Sequence, residues 1–294
     1  MSERPGGSGA PPVILSIQSS VAYGYVGNSA ATFPLMRMGV EVWPVLTVHF
    51  SNHTGYPGWR GPLLAATDVA EVVRGISERG VLGQVAAVLS GYQGDPEVGE
   101  VILDTVAAVR RHNPAAIYCC DPVMGDLGRG FYVRPGIPAR MRDHVVPAAQ
   151  LITPNQFELE ALTGRQAGTH AELLAAADAA RHLGPETVLV TSVVLVDADP
   201  QTMAMVAVNG SGAWSVATPR LAQTFTGSGD LTAAVFLAHL LRTRDVPTAL
   251  ADTAAAVFGV LRVTVESGRD ELALVQAQDE LVRPSQQFIP TRLR

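Results

Sequence analysis

Residues 226–230 read Thr-Gly-Ser-Gly-Asp and lead straight into the apolar run 231–241. Two glycines and a serine ahead of a helix start leave several backbone N–H groups without intrahelical partners, at the positive end of the helix dipole. Glycine lacks a Cβ, so an anion can approach such a backbone closely. Asp230 then falls in the first turn, beside the place a phosphate would take. A carboxylate there is of no help if phosphate is only to be held. It makes sense where a hydroxyl must lose its proton as a phosphoryl group arrives, which is the work of the base in a small-molecule kinase. The plainer alternative is a loop ending in a good N-terminal helix residue. The pentapeptide alone leaves both readings open.

The surrounding elements determine where other reactive side chains fall. Strands are expected at residues 13–18, 41–48, 85–89, 116–120, 151–153 and 187–191, with helices at 28–38, 68–79, 96–112, 155–164 and 171–182. Asn28 suits a helix cap and Gly39 a helix stop, while Asp68 with Glu71, and Asn155 with Glu158, have capping-box spacing. Residues 203–209 and 212–217 read as an antiparallel hairpin around Asn209 and Gly210. Helices are expected after it at 230–243, 247–267 and 269–282. The alternation predicts an α/β fold with one largely parallel sheet, helices on both faces and the small hairpin at 203–217. Ligands in such sheets bind beyond the carboxyl ends of the strands. Ser19, His49, Tyr92, Asp121, Asn155 and Thr191 all stand at or just past those ends, and the Gly227 turn enters its helix on the same rim. That convergence favours the functional reading of the pentapeptide. The loop 49–59 carries aromatics, hydroxyls and two histidines, and its length marks it as a binding loop. The glycine-rich segment 125–134 reads as a lid.

Composition narrows the chemistry. The chain has 294 residues, 47% of them apolar, which is ample for one large α/β domain at 13–294 behind a Gly-, Pro- and Ser-rich tail at 1–12. The tail lacks the apolar core of a signal peptide, and no uninterrupted apolar segment of spanning length stands out. A net charge of −6 gives no reason to expect nucleic acid or an anionic membrane as partner. Cys119 and Cys120 are adjacent within an expected strand and make no disulfide framework, so a reducing, cytoplasmic setting is expected. All 21 basic residues are arginine. The absence of lysine excludes a Walker A loop and any lysine Schiff-base enzyme. No dinucleotide fingerprint or zinc-binding pattern is present.

The chain resembles the pyridoxal kinase family of the ribokinase-like superfamily. The resemblance rests on Ile17-Gln18-Ser19 with Tyr23-Gly24 and Gly27-Asn28, then Phe50-Ser51-Asn52-His53-Thr54, Ser90-Gly91-Tyr92 with Gly94, Cys120-Asp121-Pro122-Val123-Met124-Gly125, Thr153-Pro154-Asn155 with Glu158, and Gly227-Ser228-Gly229-Asp230. The matches are collinear over about residues 13–282. The Ser19 and Phe50–Thr54 loops are specific to the pyridoxal branch; the aspartate and glycine motifs are shared across the superfamily.

The resemblance implies ATP-dependent phosphorylation of the 5′-hydroxymethyl of pyridoxal, with pyridoxine and pyridoxamine as further acceptors. Asp230 would be the base, and the N–H groups of Gly227, Ser228 and Gly229 the anion hole. An N-terminal helix position is expected to lower the pKa of Asp230. Ser19, Thr47, Thr54 and Tyr92 would meet the pyridine ring, while His53 is either a ligand contact or a loop support. Asp121 and Glu158 would hold Mg²⁺ through water. Asp126 would help cover the phosphates, and Thr153, Asn155, Thr191, Ser192 and Arg220 would stand on the ATP side. Glu158 and Asn155 keep a second reading as a capping box. Thr191-Ser192 departs from relatives that carry lysine there, and Arg220 is the nearest substitute in charge. The family implies a homodimer; a monovalent-cation requirement stays open. Rival readings are a hydroxymethylpyrimidine or other ribokinase-type kinase, and a non-catalytic vitamin B6 binding protein.

Overall fold

The computed structural model describes residues 10–294, so most of the expected tail lies outside the described residues; residues 10–12 are exposed and without regular structure. The elements run β1 (Val13–Val21), α1 (Asn28–Arg37), β2 (Glu41–Phe50), α2 (Ala66–Glu78), β3 (Val85–Ser90), α3 (Val98–His112), β4 (Ile117–Cys120), β5 (Gly125–Asp126), β6 (Gly130–Phe131), α4 (Ile137–Arg140), β7 (Leu151–Ile152), α5 (Gln156–Thr163), α6 (His170–His182), β8 (Thr187–Val193), β9 (Thr202–Asn209), β10 (Gly212–Pro219), α7 (Ser228–Thr243), α8 (Val246–Glu266) and β11 (Thr291–Arg292). Nine strands form one sheet in the order β11-β10-β9-β8-β7-β4-β3-β1-β2, and β5 pairs with β6 apart from it. From β2 to β8 the neighbours are parallel; β8, β9, β10 and β11 pair antiparallel. This is the expected α/β ribokinase-like architecture, with its hairpin at β9–β10.

Strand side chains alternate between two apolar layers. Leu15, Ile17 and Val88 join α2, α3, α5 and α6 on one face, while Ile14, Ala87 and Leu89 join α1, α7 and α8 on the other. The same alternation sends Cys120 into the first layer and Cys119 into the second; both are free thiols. Helix α8 is, by length and composition, apolar enough to cross a membrane, yet 61% of its most apolar window is buried inside the protein, packed with α7 and residues 272–281. Thr248, Asp252, Thr253 and Arg262 interrupt its apolar residues, so no uninterrupted apolar run marks it in the sequence.

Several local expectations change. Asn28 does not cap α1: Gly27 takes the cap position, and the Asn28 amide donates to the carbonyls of Ser16, Gln18 and Val45, stitching β1 to β2. Asp68 and Glu71 form no capping box, because α2 begins earlier, at Ala66, and has no side-chain cap. Residues 269–282 are a string of turns instead of a helix, although Leu272, Leu274, Ala277 and Leu281 are buried as a helical face would be. Asn155 and Glu158, and Thr169 and Glu172, do form complete capping boxes.

Candidate active site

The chain order switches sides between β1 and β3, the place where an open α/β sheet forms its crevice. The ends of β1, β3, β4, β7 and β8 deliver the expected residues to this rim, and α7 enters it from the opposite layer. Gly227 caps α7 at φ +86°, and a Cβ there would run into the Tyr25 carbonyl, so both conformation and space demand glycine. A Cβ on Gly229 would meet nothing within 4 Å, which leaves open space before the first turn of the helix. Ser228 turns inward: its hydroxyl donates to the Phe225 carbonyl at 2.8 Å, and its N–H reaches the same oxygen at 3.3 Å. Part of its expected anion-holding capacity is therefore spent on fixing the turn.

Asp230 stands in that first turn, half-buried. Its pKa is pushed up to about 6 by burial, against the opposing pull of the Gly27 and Asp230 N–H groups. The expected lowering by the helix end is overturned, because desolvation outweighs the dipole here. Asp121 and Glu158 are buried beneath it, at 4% and 3% exposure. Asp121 is held well above the usual carboxylate range by burial and then by the Glu158 and Asp230 charges, with a Thr153 hydroxyl hydrogen bond of 3.0 Å opposing. Burial raises Glu158 to about 7 against N–H donors from Asn155, Met124 and Gly125. Glu158 thus both completes the α5 capping box and pins the start of the lid at Met124, 2.9 Å away. Among the described residues, no arginine or histidine forms an ion pair with any of these three carboxylates. No three His, Cys, Asp or Glu side chains among the described residues close into a direct metal cage.

The segment expected to be a lid contains a small hairpin, β5–β6, with Asp126 paired to Gly130. Tyr132 follows it and senses the same carboxylates: burial first, then Glu158, Asp230, Asp121 and Asp126 raise its phenol pKa. Sequence reasoning had not singled out this tyrosine. Arg129 lies over its ring at 5.1 Å.

On the expected acceptor side, Ser19 is buried within β1, which runs on to Val21, rather than starting a loop. Thr47 is buried in β2 and donates to the Tyr92 carbonyl at 2.6 Å, so its hydroxyl proton is already committed within the protein. Tyr92 is half-buried on the small apolar cluster of Val21, Val48 and Phe50, and burial raises its pKa. Thr54 is exposed at the crest of the loop. His53 proves to be loop support: the Gly55 N–H donates to its Nδ1, leaving Nε2–H to donate to Glu271 at 3.1 Å. Glu271 also accepts from the Tyr56 hydroxyl at 2.7 Å and from the Tyr25 N–H at 3.1 Å. Glu271 was not foreseen, since its partners lie some two hundred residues away in sequence and nothing in its own neighbourhood marks it.

On the other flank, Asn155 donates to the Gly125 carbonyl at 2.8 Å and bridges to Thr191, whose N–H bonds Pro154. Thr153 orients Asp121. Ser192 is exposed at φ +53°, a strained conformation for a non-glycine residue, where the β8–β9 register shifts. Because β9 and β10 are antiparallel, Arg220 at the end of β10 returns to this same rim, exposed and without an ion pair among the described residues.

Comparison with known proteins agrees with this geometry. A family model described as phosphomethylpyrimidine kinase matches residues 81–274. The chain is 59% identical to a pyridoxal kinase of Rubrobacter xylanophilus, covering 94% of this chain and 95% of that protein. It is 56% identical to a pyridoxal kinase of Leifsonia xyli, covering 95% and 99%. Among solved structures, pyridoxal kinase from Leishmania donovani in complex with ADP and pyridoxine superposes with a TM-score of 0.90 at 30% identity, covering 96% and 99%. Near-complete coverage at such identity, on a rim that carries the glycine turn, its aspartate and the 49–59 loop together, means that the chain belongs to the pyridoxal kinase family.

Proposed function

We propose that residues 227–230 perform the transfer step of the pyridoxal kinase reaction, with Asp230 as base. The chain phosphorylates pyridoxal at the expense of ATP. The 5′-hydroxymethyl oxygen attacks the γ-phosphorus, a new O–P bond forms, and the bond from the γ-phosphorus to the β,γ-bridging oxygen breaks, releasing ADP. The hydroxyl proton passes to the Asp230 carboxylate. A group with a pKa of about 6 is ionised at neutral pH and still basic enough to assist, which is the compromise expected of a general base. A Cβ on Gly229 would meet nothing, so a phosphoryl group can come close to the backbone at the start of α7, where the Gly229 N–H would serve as the donor to developing charge.

Asp121 and Glu158 would hold Mg²⁺ through water, and Mg²⁺ would neutralise phosphate charge. The fit rests on two buried carboxylates of hard oxygen chemistry, raised first by burial and then by neighbouring carboxylate charge, with no ion-paired cation among the described residues. Thr191, Ser192, Asn155 and Arg220 form the ATP side, while Ser19, Thr54 and Tyr92 form the acceptor side. Asp126 covers the phosphates from the lid. Residues 13–294 act as one domain, and the chain works as a homodimer in the cytoplasm.

The observation that carries this reading is the position of Asp230 at the open glycine turn above Asp121 and Glu158. Asp230→Asn tests it. Product followed by mass should fall by about 10³ in rate with pyridoxal binding retained, within the range general-base catalysis supplies. A variant that keeps near wild-type turnover would remove Asp230 as the base.

A further inference from the structure

We propose that Glu271 is a positioning residue that latches the acceptor loop to the phosphoryl-transfer turn. Its carboxylate is only 6% exposed and is satisfied by three donors from two separate segments. Oε1 accepts from Tyr56 Oη and His53 Nε2, both in the loop that follows β2. Oε2 accepts from the Tyr25 N–H, in the segment between β1 and α1. Gly24, at φ +89°, leaves the space the carboxylate fills; a Cβ there would overlap it. The His53 and Tyr56 rings stack at 4.6 Å, so both donors from the acceptor loop arrive as one rigid face. The neighbouring backbone continues the connection, with Tyr23 N–H on the Ser51 carbonyl at 2.8 Å. The Tyr25 carbonyl sits in the place a Cβ of Gly227 would need. One carboxylate therefore sets the loop over the acceptor relative to the turn that receives the phosphoryl group. Fixing two loops before substrate arrives lowers the ordering cost of binding.

The inference rests on the reading that the 52–59 loop faces pyridoxal, and Thr54→Val tests that reading separately. Glu271→Gln keeps the volume but presents an amide where Oε2 accepts the Tyr25 N–H. Its KM for pyridoxal should rise about tenfold, the scale of one charge-assisted hydrogen bond, with KM for ATP within about twofold of wild type. Tyr56→Phe should shift the same constant about threefold. The double variant should show less than the product of the two effects, because both act through one carboxylate. If Glu271→Gln lowers only the unfolding temperature, or raises both KM values alike, the latch is overturned. Should Glu271→Gln fail to fold, Tyr56→Phe decides by the same constant. A raised KM in Thr54→Val with none in the latch variants sinks the latch alone. An unchanged KM in Thr54→Val sinks the reading of the loop beneath it.

Discussion

On the acceptor side, Asn28 ties β1 to β2 through three carbonyls, Thr47 ties β2 to Tyr92, and Glu271 ties two loops together from the far end of the chain. On the proposed nucleotide side, Arg220 is exposed with its guanidinium unpaired among the described residues, and Ser192 is strained and exposed. Residues 221–226 have no regular structure; the Gln223 amide donates to the Arg269 carbonyl, and the Phe225 carbonyl accepts from Ser228. The contrast follows from the ligands. Pyridoxal is small and nearly neutral, so discrimination must come from a pocket whose shape is set in advance. ATP brings its own charge, and under the proposed reading backbone N–H groups would meet it with little help from side chains. A chain without lysine can work on those terms.

Asp230 stands at the junction of the two sides and gives the largest test. With a pKa of about 6, Asp230, the proposed base, is protonated below that pH and ionised above it. The kcat/KM for pyridoxal should therefore fall about tenfold per pH unit below a midpoint at or under about 6, since a nearby cation only lowers a carboxylate pKa. A midpoint above 7, or a flat profile to pH 4.5, would assign the proton elsewhere. The same shift acts on stability with the opposite sense. The folded-state pKa lies above the ordinary value, so the native state binds the extra proton and stability declines as pH rises from about 4 through 6. Asp230→Asn should accordingly raise the unfolding temperature by a few degrees at pH 7.5, on the order of 1–2 kcal/mol, and by little at pH 4. Equal gains at both pH values would break the argument that burial of this carboxylate is kept for function at a cost in stability.

The acceptor side should pay in stability wherever its ties are cut. Asn28→Ala removes one amide and leaves three buried carbonyls short of a donor, a loss of about 2–3 kcal/mol and several degrees in Tm. Thermal unfolding of the variant measures this directly. A change of under about 0.5 kcal/mol would mean that these carbonyls find other partners and that the acceptor side is less tightly built than its bonds imply.

The parallel strands were legible because apolar β-branched runs alternate with amphipathic helices, and the rim was legible because glycine, asparagine and aspartate punctuate the strand ends. What escaped was long-range. Asn28 has the residue type of a cap, yet it satisfies strand carbonyls that only the paired sheet creates. Residues 269–282 show a helical spacing of apolar groups, but those side chains fill gaps beside α7 and α8 from a chain of turns. Glu271 sat inside that misread segment, where a glutamate reads as solvent-facing. The helix dipole at Asp230 was foreseen, whereas the desolvation that outweighs it depends on what lies above and below, which no local pattern carries.

Arg220 supplies the smallest and most discriminating test. If the nucleotide side is built from backbone and from the charge ATP brings, one exposed arginine contributes a screened, solvent-shared attraction and no fold stability. Arg220→Ala should raise KM for ATP by less than about tenfold, leave KM for pyridoxal unchanged and shift Tm by under about one degree. The effect on KM should shrink further as salt is raised, because the guanidinium acts from solvent. A loss of kcat by two orders of magnitude would instead make Arg220 the functional replacement for the missing lysine, with the phosphates gripped by a side chain after all. A fall in Tm comparable to that of Asn28→Ala would erase the difference between the two sides, and with it the explanation of how a lysine-free chain can afford so loose a nucleotide rim.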